Sequence, residues 1–376
     1  MTINRQKLLN ALNSVAVALS SKGSNPYGSF ILMTAKNGTL TITADSIDIR
    51  AEATIECPES KPGSLLVSHA KLVALLNRNV ENVELEAVGS QPEKFTYERL
   101  KITVGGSTSL IPLMPAEAFP APRPDENQKA FVILDNAAFT NSLTVVCPFA
   151  GNGLTHAWDI ALSIQDDGKD MLMLACDGKQ FARIVQVTSG TPFSLAIPAK
   201  IIRSIVSTVA ASDSLTMAVF ENSVRFELDG LTLQLRLCDL QYPENVRQVC
   251  ERMDKGCNHS VTVDRSSLVS ELQIASAQVE RDEDGVGIYI TENPQALTVY
   301  AKSKSSAEHS ASIETKVAVG LERRRINVQN VVAYLRSLDC ERVRLSYEPE
   351  WVEPGCKLTP EFASGISAYF GFFKNT

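Results

Sequence analysis

Ile3-Asn4-Arg5-Gln6-Lys7-Leu8-Leu9 decides the reading of this chain, because its pattern returns twice, as Leu134-Asp135-Asn136-Ala137-Ala138-Phe139 and as Val263-Asp264-Arg265-Ser266-Ser267-Leu268. The first residues stand at 3, 134 and 263, steps of 131 and 129. Each copy is a short apolar strand followed by Asn4, Asp135 or Asp264, whose side-chain oxygen can satisfy an orphan backbone N–H at a helix start. Beyond the first cap, Leu8, Leu9, Leu12, Val15, Ala16 and Leu19 recur at helical spacing.

A second recurrence lies about 65 residues into each copy. Val67-Ser68-His69-Ala70-Lys71-Leu72-Val73, Ile197-Pro198-Ala199-Lys200-Ile201-Ile202 and Ile326-Asn327-Val328-Gln329-Asn330-Val331-Val332 are spaced 130 and 129 apart. Each reads as a strand end, a cap and a helix with one apolar stripe; Pro198 suits a helix entry, where its missing N–H costs nothing. Alternating segments follow (Val83-Glu84-Leu85-Glu86, Leu215-Thr216-Met217-Ala218-Val219, Val343-Arg344-Leu345-Ser346), the mark of half-buried strands. Asn37-Gly38 and Asp229-Gly230 are hairpin signals. Two agreeing offsets predict an α+β protein of three repeated domains, 1–124, 125–252 and 253–376, each with two helices and roughly eight strands. Five prolines between Pro112 and Pro124 mark the first boundary; the second is softer, around Cys250–His259.

Length and composition agree. A chain of 376 residues, 44% hydrophobic and 21% charged, suits two or three globular domains. No apolar run approaches the ~18 residues a membrane span needs, and Met1–Arg5 lacks the apolar stretch of a secretory signal, so the expectation is a cytoplasmic protein without a membrane partner. The eight cysteines are scattered without CxxC or zinc spacing and read as buried free thiols. His69, His156, His259 and His309 are far apart and fit no metal or triad motif; no cofactor or metal is expected. Gly151-Asn152-Gly153 and Gly285-Val286-Gly287 lack the remaining glycines of a dinucleotide fingerprint. Glu280-Arg281-Asp282-Glu283-Asp284-Gly285 departs from calcium-loop spacing and reads as a solvated loop, and Arg323-Arg324-Arg325 as a basic strand end.

The ordered set Gly38-Thr39-Leu40-Thr41-Ile42-Thr43-Ala44-Asp45, Ala175-Cys176-Asp177-Gly178 with Phe181, Leu237 to Tyr242-Pro243-Glu244, and Gly285-Val286-Gly287-Ile288-Tyr289-Ile290 resembles the bacterial sliding clamps, the β subunits of DNA polymerase III, over essentially the whole chain. The resemblance implies domains of two antiparallel sheets backed by two helices, six of which, three from each chain of a homodimer, close head to tail into a ring. It implies a non-catalytic processivity factor encircling double-stranded DNA without regard to sequence. Its partners would be a DNA polymerase, a clamp loader and other proteins carrying clamp-binding peptides.

A net charge of −7 argues against a nucleic-acid partner only if charge is evenly spread. On the predicted second helices stand Lys71 and Arg78, seven apart on one face, Lys200 and Arg203, and Arg336; the first helices add Arg5, Lys7 and Arg265. By themselves such residues are ordinary solvated faces; the ring implied by the resemblance turns them toward DNA. Lys22 and the loop from Gly151 through His156 correspond to further DNA contacts of the family.

The family also binds partner peptides in a groove between its second and third domains. Motif matching places there Cys176, Gly178, Lys179, Gln180 and Phe181, then Pro243, Gln248 and Val249, the region of Pro354, Cys356 and Leu358, and the tail Phe370, Phe372, Phe373 and Lys374. Where the family has a Thr-Asp-Gly-His-Arg-Leu type segment this chain has Cys176-Asp177-Gly178-Lys179-Gln180-Phe181, and its Met-Pro-Met-Arg-like tail is here Phe372-Phe373-Lys374, so a re-shaped groove is expected. A strand alternates its faces, so adjacent Phe372 and Phe373 cannot share one; a peptide pocket and a tail folded on its own domain both account for them. The segment Ile274–Val279 resembles a family dimer interface but is less bulky, which implies a weaker dimer. Two other readings stand beside this one: a repeat scaffold that does not encircle DNA, and an enzyme with an unrecognised site.

Overall fold

Side-chain caps fix where the helices begin. Asn4 Oδ1 accepts from the Lys7 N–H at 3.1 Å and Asp264 Oδ1 from Ser267 at 2.6 Å, as the repeat pattern requires. Asn37 and Gly38 both take positive φ, 53° and 76°, the mirror-image turn that suits the right-handed twist of a tight hairpin. The structure, a computed structural model, describes residues 1–376 apart from 21–26, 59, 90–97, 124–126, 154–156, 179, 189, 241–243, 280–285, 303–307, 351–354, 363–364 and 372–376.

One element order runs three times. The first repeat holds β1 (Thr2–Asn4), α1 (Arg5–Val15), β2 (Phe30–Lys36), β3 (Thr39–Asp45), β4 (Ile49–Glu56), β5 (Gly63–Ser68), α2 (His69–Leu76), β6 (Asn82–Val88), β7 (Arg99–Val104) and β8 (Ser107–Pro112). The second holds β9 (Ala130–Ile133), α3 (Asn136–Val146), β10 (Ala161–Asp166), β11 (Asp170–Cys176), β12 (Gln180–Val187), β13 (Phe193–Pro198), α4 (Ala199–Ala210), β14 (Thr216–Val219), β15 (Ser223–Leu228) and β16 (Leu231–Arg236). An additional helix, α5 (Glu244–Gly256), precedes the third. That repeat holds β17 (His259–Asp264), α6 (Arg265–Ala277), β18 (Gly287–Glu292), β19 (Gln295–Lys302), β20 (Glu308–Glu314), β21 (Leu321–Arg325), α7 (Val328–Ser337), β22 (Arg342–Tyr347), β23 (Gly355–Pro360) and β24 (Ile366–Gly371).

Packing divides the chain into two compact units, Met1–Ala137 with Ser204–Leu237, and Ala138–Arg203 with Cys238–Thr376. The first unit has an eight-stranded sheet, β5-β2-β3-β4-β16-β15-β14-β9, and a four-stranded one, β1-β6-β7-β8. The second has β13-β10-β11-β12-β24-β23-β22-β17 and β20-β19-β18-β21. Each eight-stranded sheet joins strands of two repeats, across β4–β16 (Ala53 opposite Leu231) and β12–β24 (Ile184 opposite Ile366).

In the first unit α1 packs on β3 and β4, with its Leu8, Leu12 and Val15 buried. In the second, Phe149 of a 3-10 turn meets Phe370 of β24 at 5.5 Å between ring centroids and Tyr334 of α7 at 6.1 Å; the Tyr334 hydroxyl donates to the Leu358 carbonyl. The Tyr300 ring lies across Gly287: a Cβ there would stand 2.3 Å from Cζ of Tyr300, so any larger residue would have to displace that ring. Phe370→Ala removes a fully buried ring from this cluster and should destabilise the second unit by about 3–5 kcal/mol, read as an early transition in denaturant unfolding.

Candidate nucleic-acid interface and partner groove

The two helices of each repeat are free of acidic side chains with one exception. Across α1, α2, α3, α4, α6 and α7 there are seven basic residues (Arg5, Lys7, Lys71, Lys200, Arg203, Arg265, Arg336) and one acidic residue, Glu271. Glu271 pairs with His309 at 3.1 Å. The chain as a whole has more acids than bases, 43 against 36, so charge is segregated by element.

These seven cations do different things. Arg5 Nε donates to the Leu76 carbonyl at 2.7 Å, at the C-terminus of α2. Arg265 repeats the contact in the third repeat, donating to the carbonyls of Cys340 at 2.6 Å and Leu335 at 3.0 Å. In the second repeat Asn136 takes the same place and donates to Val209 and Ser212 at the end of α4. The residue after each first-helix cap therefore closes the carbonyl end of the second helix, where unsatisfied acceptors and the helix dipole favour a cation. Arg5 and Arg265 are half-buried braces, a correction to their reading as part of a DNA-facing row.

Lys7, Lys71, Lys200 and Arg336 are exposed. Arg203 is exposed as well but donates to the Cys147 carbonyl at 2.6 Å, which fixes where its guanidinium stands. Arg78 is exposed beyond the helix expected to carry it: α2 ends at Leu76, and Arg78 N–H turns back to the Leu76 carbonyl. The run Asn77-Arg78-Asn79 explains the early stop, since asparagine favours turns over helix interiors. Lys22 and His156 lie outside the described residues. His69 Nε2–H donates to the Leu12 carbonyl at 3.0 Å, and burial pushes its pKa down.

The expected peptide groove is divided by strand alternation. Cys176 lies opposite Phe181, and Phe181 opposite Tyr369, so these three share one face of the sheet. Gln180 lies opposite Phe370, and Phe370 opposite Cys356, so those three share the other face, where Phe370 meets Phe149 and Tyr334. All six are buried, and neither side-chain amide atom of Gln180 makes a hydrogen bond. A single open groove lined by the whole set is therefore not what the fold builds. Lys179, Pro243, Pro354, Phe372, Phe373 and Lys374 lie outside the described residues. Gly178, at φ 91°, makes the β11–β12 turn.

On the Cys176–Phe181–Tyr369 face sits α5. Its Val246, Cys250 and Met253 are buried in one cluster with Leu174, Cys176, Phe181 and Tyr369; Val249, Trp158 and Cys257 pack at its margin. Phe181 and Tyr369 stack at 4.5 Å. Gln248, Glu251, Arg252 and Lys255 are exposed on the opposite side of the helix. Asp254 pins α5 from its polar flank, accepting from Lys357 Nζ at 2.6 Å, the Tyr369 hydroxyl at 2.7 Å and Arg183 at 2.8 Å. Burial alone would raise its carboxyl pKa; the bonds from Lys357 and Tyr369 and the charge of Arg183 outweigh that and hold it below the usual range. Burial pushes the thiols of Cys176 and Cys250 up to about 12, so both stay protonated at neutral pH. The spacing of Val246, Val249, Cys250 and Met253, at i, i+3, i+4 and i+7, was the sequence signal for this helix.

Among the described residues no group of three or more His, Cys, Asp or Glu side chains could hold a metal ion, and no helix is long and apolar enough to cross a membrane.

Among the described residues, twenty-four antiparallel strands in three repeats, with paired helices whose cations outnumber their acids, define a clamp-type α+β architecture. The solved DNA polymerase sliding clamp of Pseudomonas aeruginosa superposes with a TM-score of 0.88 over 100% of this chain and 99% of that one, at 15% identity. Residues 1–122 match the family model of the DNA polymerase III beta subunit, N-terminal domain. The beta sliding clamp of Escherichia coli (strain K12) is 19% identical over 352 residues, 92% of each chain, and that of Micrococcus luteus 24% identical over 82% of this chain and 97% of its own. The chain is thus similar over most of its length to the sliding clamps, the β subunits of DNA polymerase III.

The brace predicts a separable phenotype. Arg265→Ala should cost about 1.5–3 kcal/mol of stability through lost charge-assisted bonds to buried carbonyls, while duplex DNA affinity at fixed salt stays within about two-fold. A large affinity loss with unchanged melting temperature would return Arg265 to the DNA-facing set.

Proposed function

We propose that two copies of this chain close into a ring around duplex DNA and tether a DNA polymerase and other replication or repair proteins to it, without a catalytic site of their own. The observation that carries this reading is the segregation of cations onto the paired helices of a net-acidic chain. Duplex DNA presents one negative charge per about 1.7 Å of axis, so a ring needs positive charge only on its lining. Lys71, Lys200 and Arg336, with Lys7, Arg78 and Arg203, are the lining we assign. Lys22 and His156 are further proposed contacts. The three domains of the ring are 1–124, 125–252 and 253–376.

Strand equivalence supports closure between chains. By element order β8 occupies the place of β16 and β24, and β20 the place of β4 and β12. The pairs β4–β16 and β12–β24 are made within the chain, whereas β8 and β20 each end a four-stranded sheet. Pairing β20 of one chain with β8 of a second repeats the same junction and closes head to tail. Leu110 on β8 is 52% exposed, and Ile274 on α6, which packs beside β20, is 44% exposed; both suit coverage by the second copy.

Three experiments test the reading. The protein should be retained on nicked circular plasmid and released when a restriction enzyme linearises it; retention indifferent to ends and governed by salt alone would sink the ring. Lys71→Glu, Lys200→Glu and Arg336→Glu together should weaken duplex binding at every sequence and flatten its salt dependence by about 0.9 per lost phosphate contact. Separately, Leu110→Asp or Ile274→Asp should shift the sedimentation coefficient from dimer to monomer across a micromolar concentration series, with secondary structure retained. A dimer that survives both places the interface elsewhere.

A further inference from the structure

We propose that the face of β18, β19 and β21 turned away from α6 docks an acidic, extended segment of a partner protein, held by Arg323 and Arg325 over a floor of Tyr289 and Tyr300. This rests on the clamp reading in one respect: the helices are the side assigned to DNA, which leaves this face to proteins.

Strand pairing fixes which side chains share the face. Gly287 lies opposite both Tyr300 and Arg325, and Tyr289 opposite Thr298, so alternation puts Gly287, Tyr289, Tyr300 and Arg325 on one side. The buried Ile288, Ile290, Leu297 and Val299 take the other side. His309, opposite Ala301 on that second side, bonds Glu271 of α6, which places the helix there. Between Ile288 and Ile290 the partner on β21 moves from Arg324 to Leu321, three steps against two, so β21 carries one extra residue. Such bulges re-aim side chains. Arg323, at this bulge, has its guanidinium 5.3 Å from the Tyr289 ring centroid and 5.0 Å from that of Tyr300.

The fold itself does not ask for these residues. Leu32 opposite Leu66 and Ser163 opposite Ala196 hold the place of Gly287 opposite Arg325 in the first and second repeats. There Ser64 and Ser194 stand for Arg323, and Thr34 and Gln165 for Tyr289. Cations and rings therefore belong to the third repeat and not to the repeated architecture.

Their chemistry selects the partner. A guanidinium laid flat on aromatic rings is held in place while its N–H edge can still take a carboxylate two bonds at a time. Arg323 is exposed and Arg325 half-buried. Side chains two positions apart on a strand stand about 7 Å apart, which is also the spacing of carboxylates at alternate positions of an extended peptide. Glu322, the acid next to Arg323 in sequence, pairs with Arg324 at 3.7 Å. Burial raises the Tyr300 pKa, so its ring is neutral beside the arginines.

The test uses the full-length protein and a fluorescein-labelled heptapeptide of alternating Glu and Thr. Its control carries Gln for every Glu. We expect the acidic peptide to bind wild type at least about ten-fold more tightly than the control, and more weakly as salt rises. Arg323→Ser with Arg325→Ala installs the residues that the second repeat carries at these places, so secondary structure should be retained. This variant should lose about ten-fold in affinity for the acidic peptide while its duplex DNA affinity is unchanged. Arg323→Lys, which keeps the charge and loses the fork, should fall between the two. The proposal is overturned if wild type binds both peptides alike, or if the double variant binds the acidic peptide as wild type does. It is equally overturned if a labelled oligothymidylate, and not the peptide, binds wild type and is lost in the variant, since that gives the face to nucleic acid. Loss of end-dependent plasmid retention by the wild-type protein would instead remove the clamp reading and leave the peptide result standing.

Discussion

A strand at the edge of a sheet leaves a row of N–H and C=O groups that must find partners, and this constraint organises the chain. Each repeat has two strands (β4 and β8, β12 and β16, β20 and β24) that would be edges if the repeat stood alone. Two of these demands are met within the chain, by β4 against β16 and β12 against β24. The middle repeat accordingly contributes strands to both compact units. Nothing in the hydrophobic pattern alone dictates this; it follows from where the repeats place their edges.

The junctions differ in how the chain crosses them. In the first unit the linker after β8 brings a cation to a sheet anion: Arg123 and Arg50 both reach Asp45, at 2.9 and 2.7 Å, and Arg50 lies over the Phe119 ring. In the second unit the segment after β16 brings an anion, Asp254, to sheet cations, and adds an apolar helix face. Asp45 and Arg50 are almost fully buried, 5% and 6% exposed, and each is held by two opposite charges, Asp45 by Arg50 and Arg123, Arg50 by Asp45 and by Glu52 at 2.8 Å. The two crossings are the same idea with reversed polarity and different depth.

Much of the architecture was legible in the sequence because it repeats. Asn4, Asp135 and Asp264 announced helix starts, and Asn37-Gly38 its hairpin, each through a local rule that needs no tertiary information. The cations of the second helices were legible as residues but not as roles. Whether an arginine meets solvent or a carbonyl 71 positions away is a tertiary question, and Arg5 and Arg265 answered it differently from Lys200. Arg78 was misplaced because helix length depends on a weak stop at Asn77. The peptide groove was misread for a different reason: motif matching names positions in sequence order, while alternation sends neighbours such as Gln180 and Phe181 to opposite faces. The second domain boundary looked soft because α5 lies across it, its apolar stripe diluted by Glu251, Arg252 and Lys255.

The brace between paired helices carries a geometric corollary. Arginine performs it where the second helix has 8 or 10 residues, in α2 and α7; the shorter Asn136 performs it where α4 has 12. Four residues more than α2 and two more than α7 extend a helix by about 6 and about 3 Å, so α4 brings its carbonyl end toward a side chain that cannot reach out to it. Reach and rise are thus matched repeat by repeat, and exchanging these residues between repeats without trimming the helix opposite would leave one pair jammed and another with its last carbonyls unsatisfied.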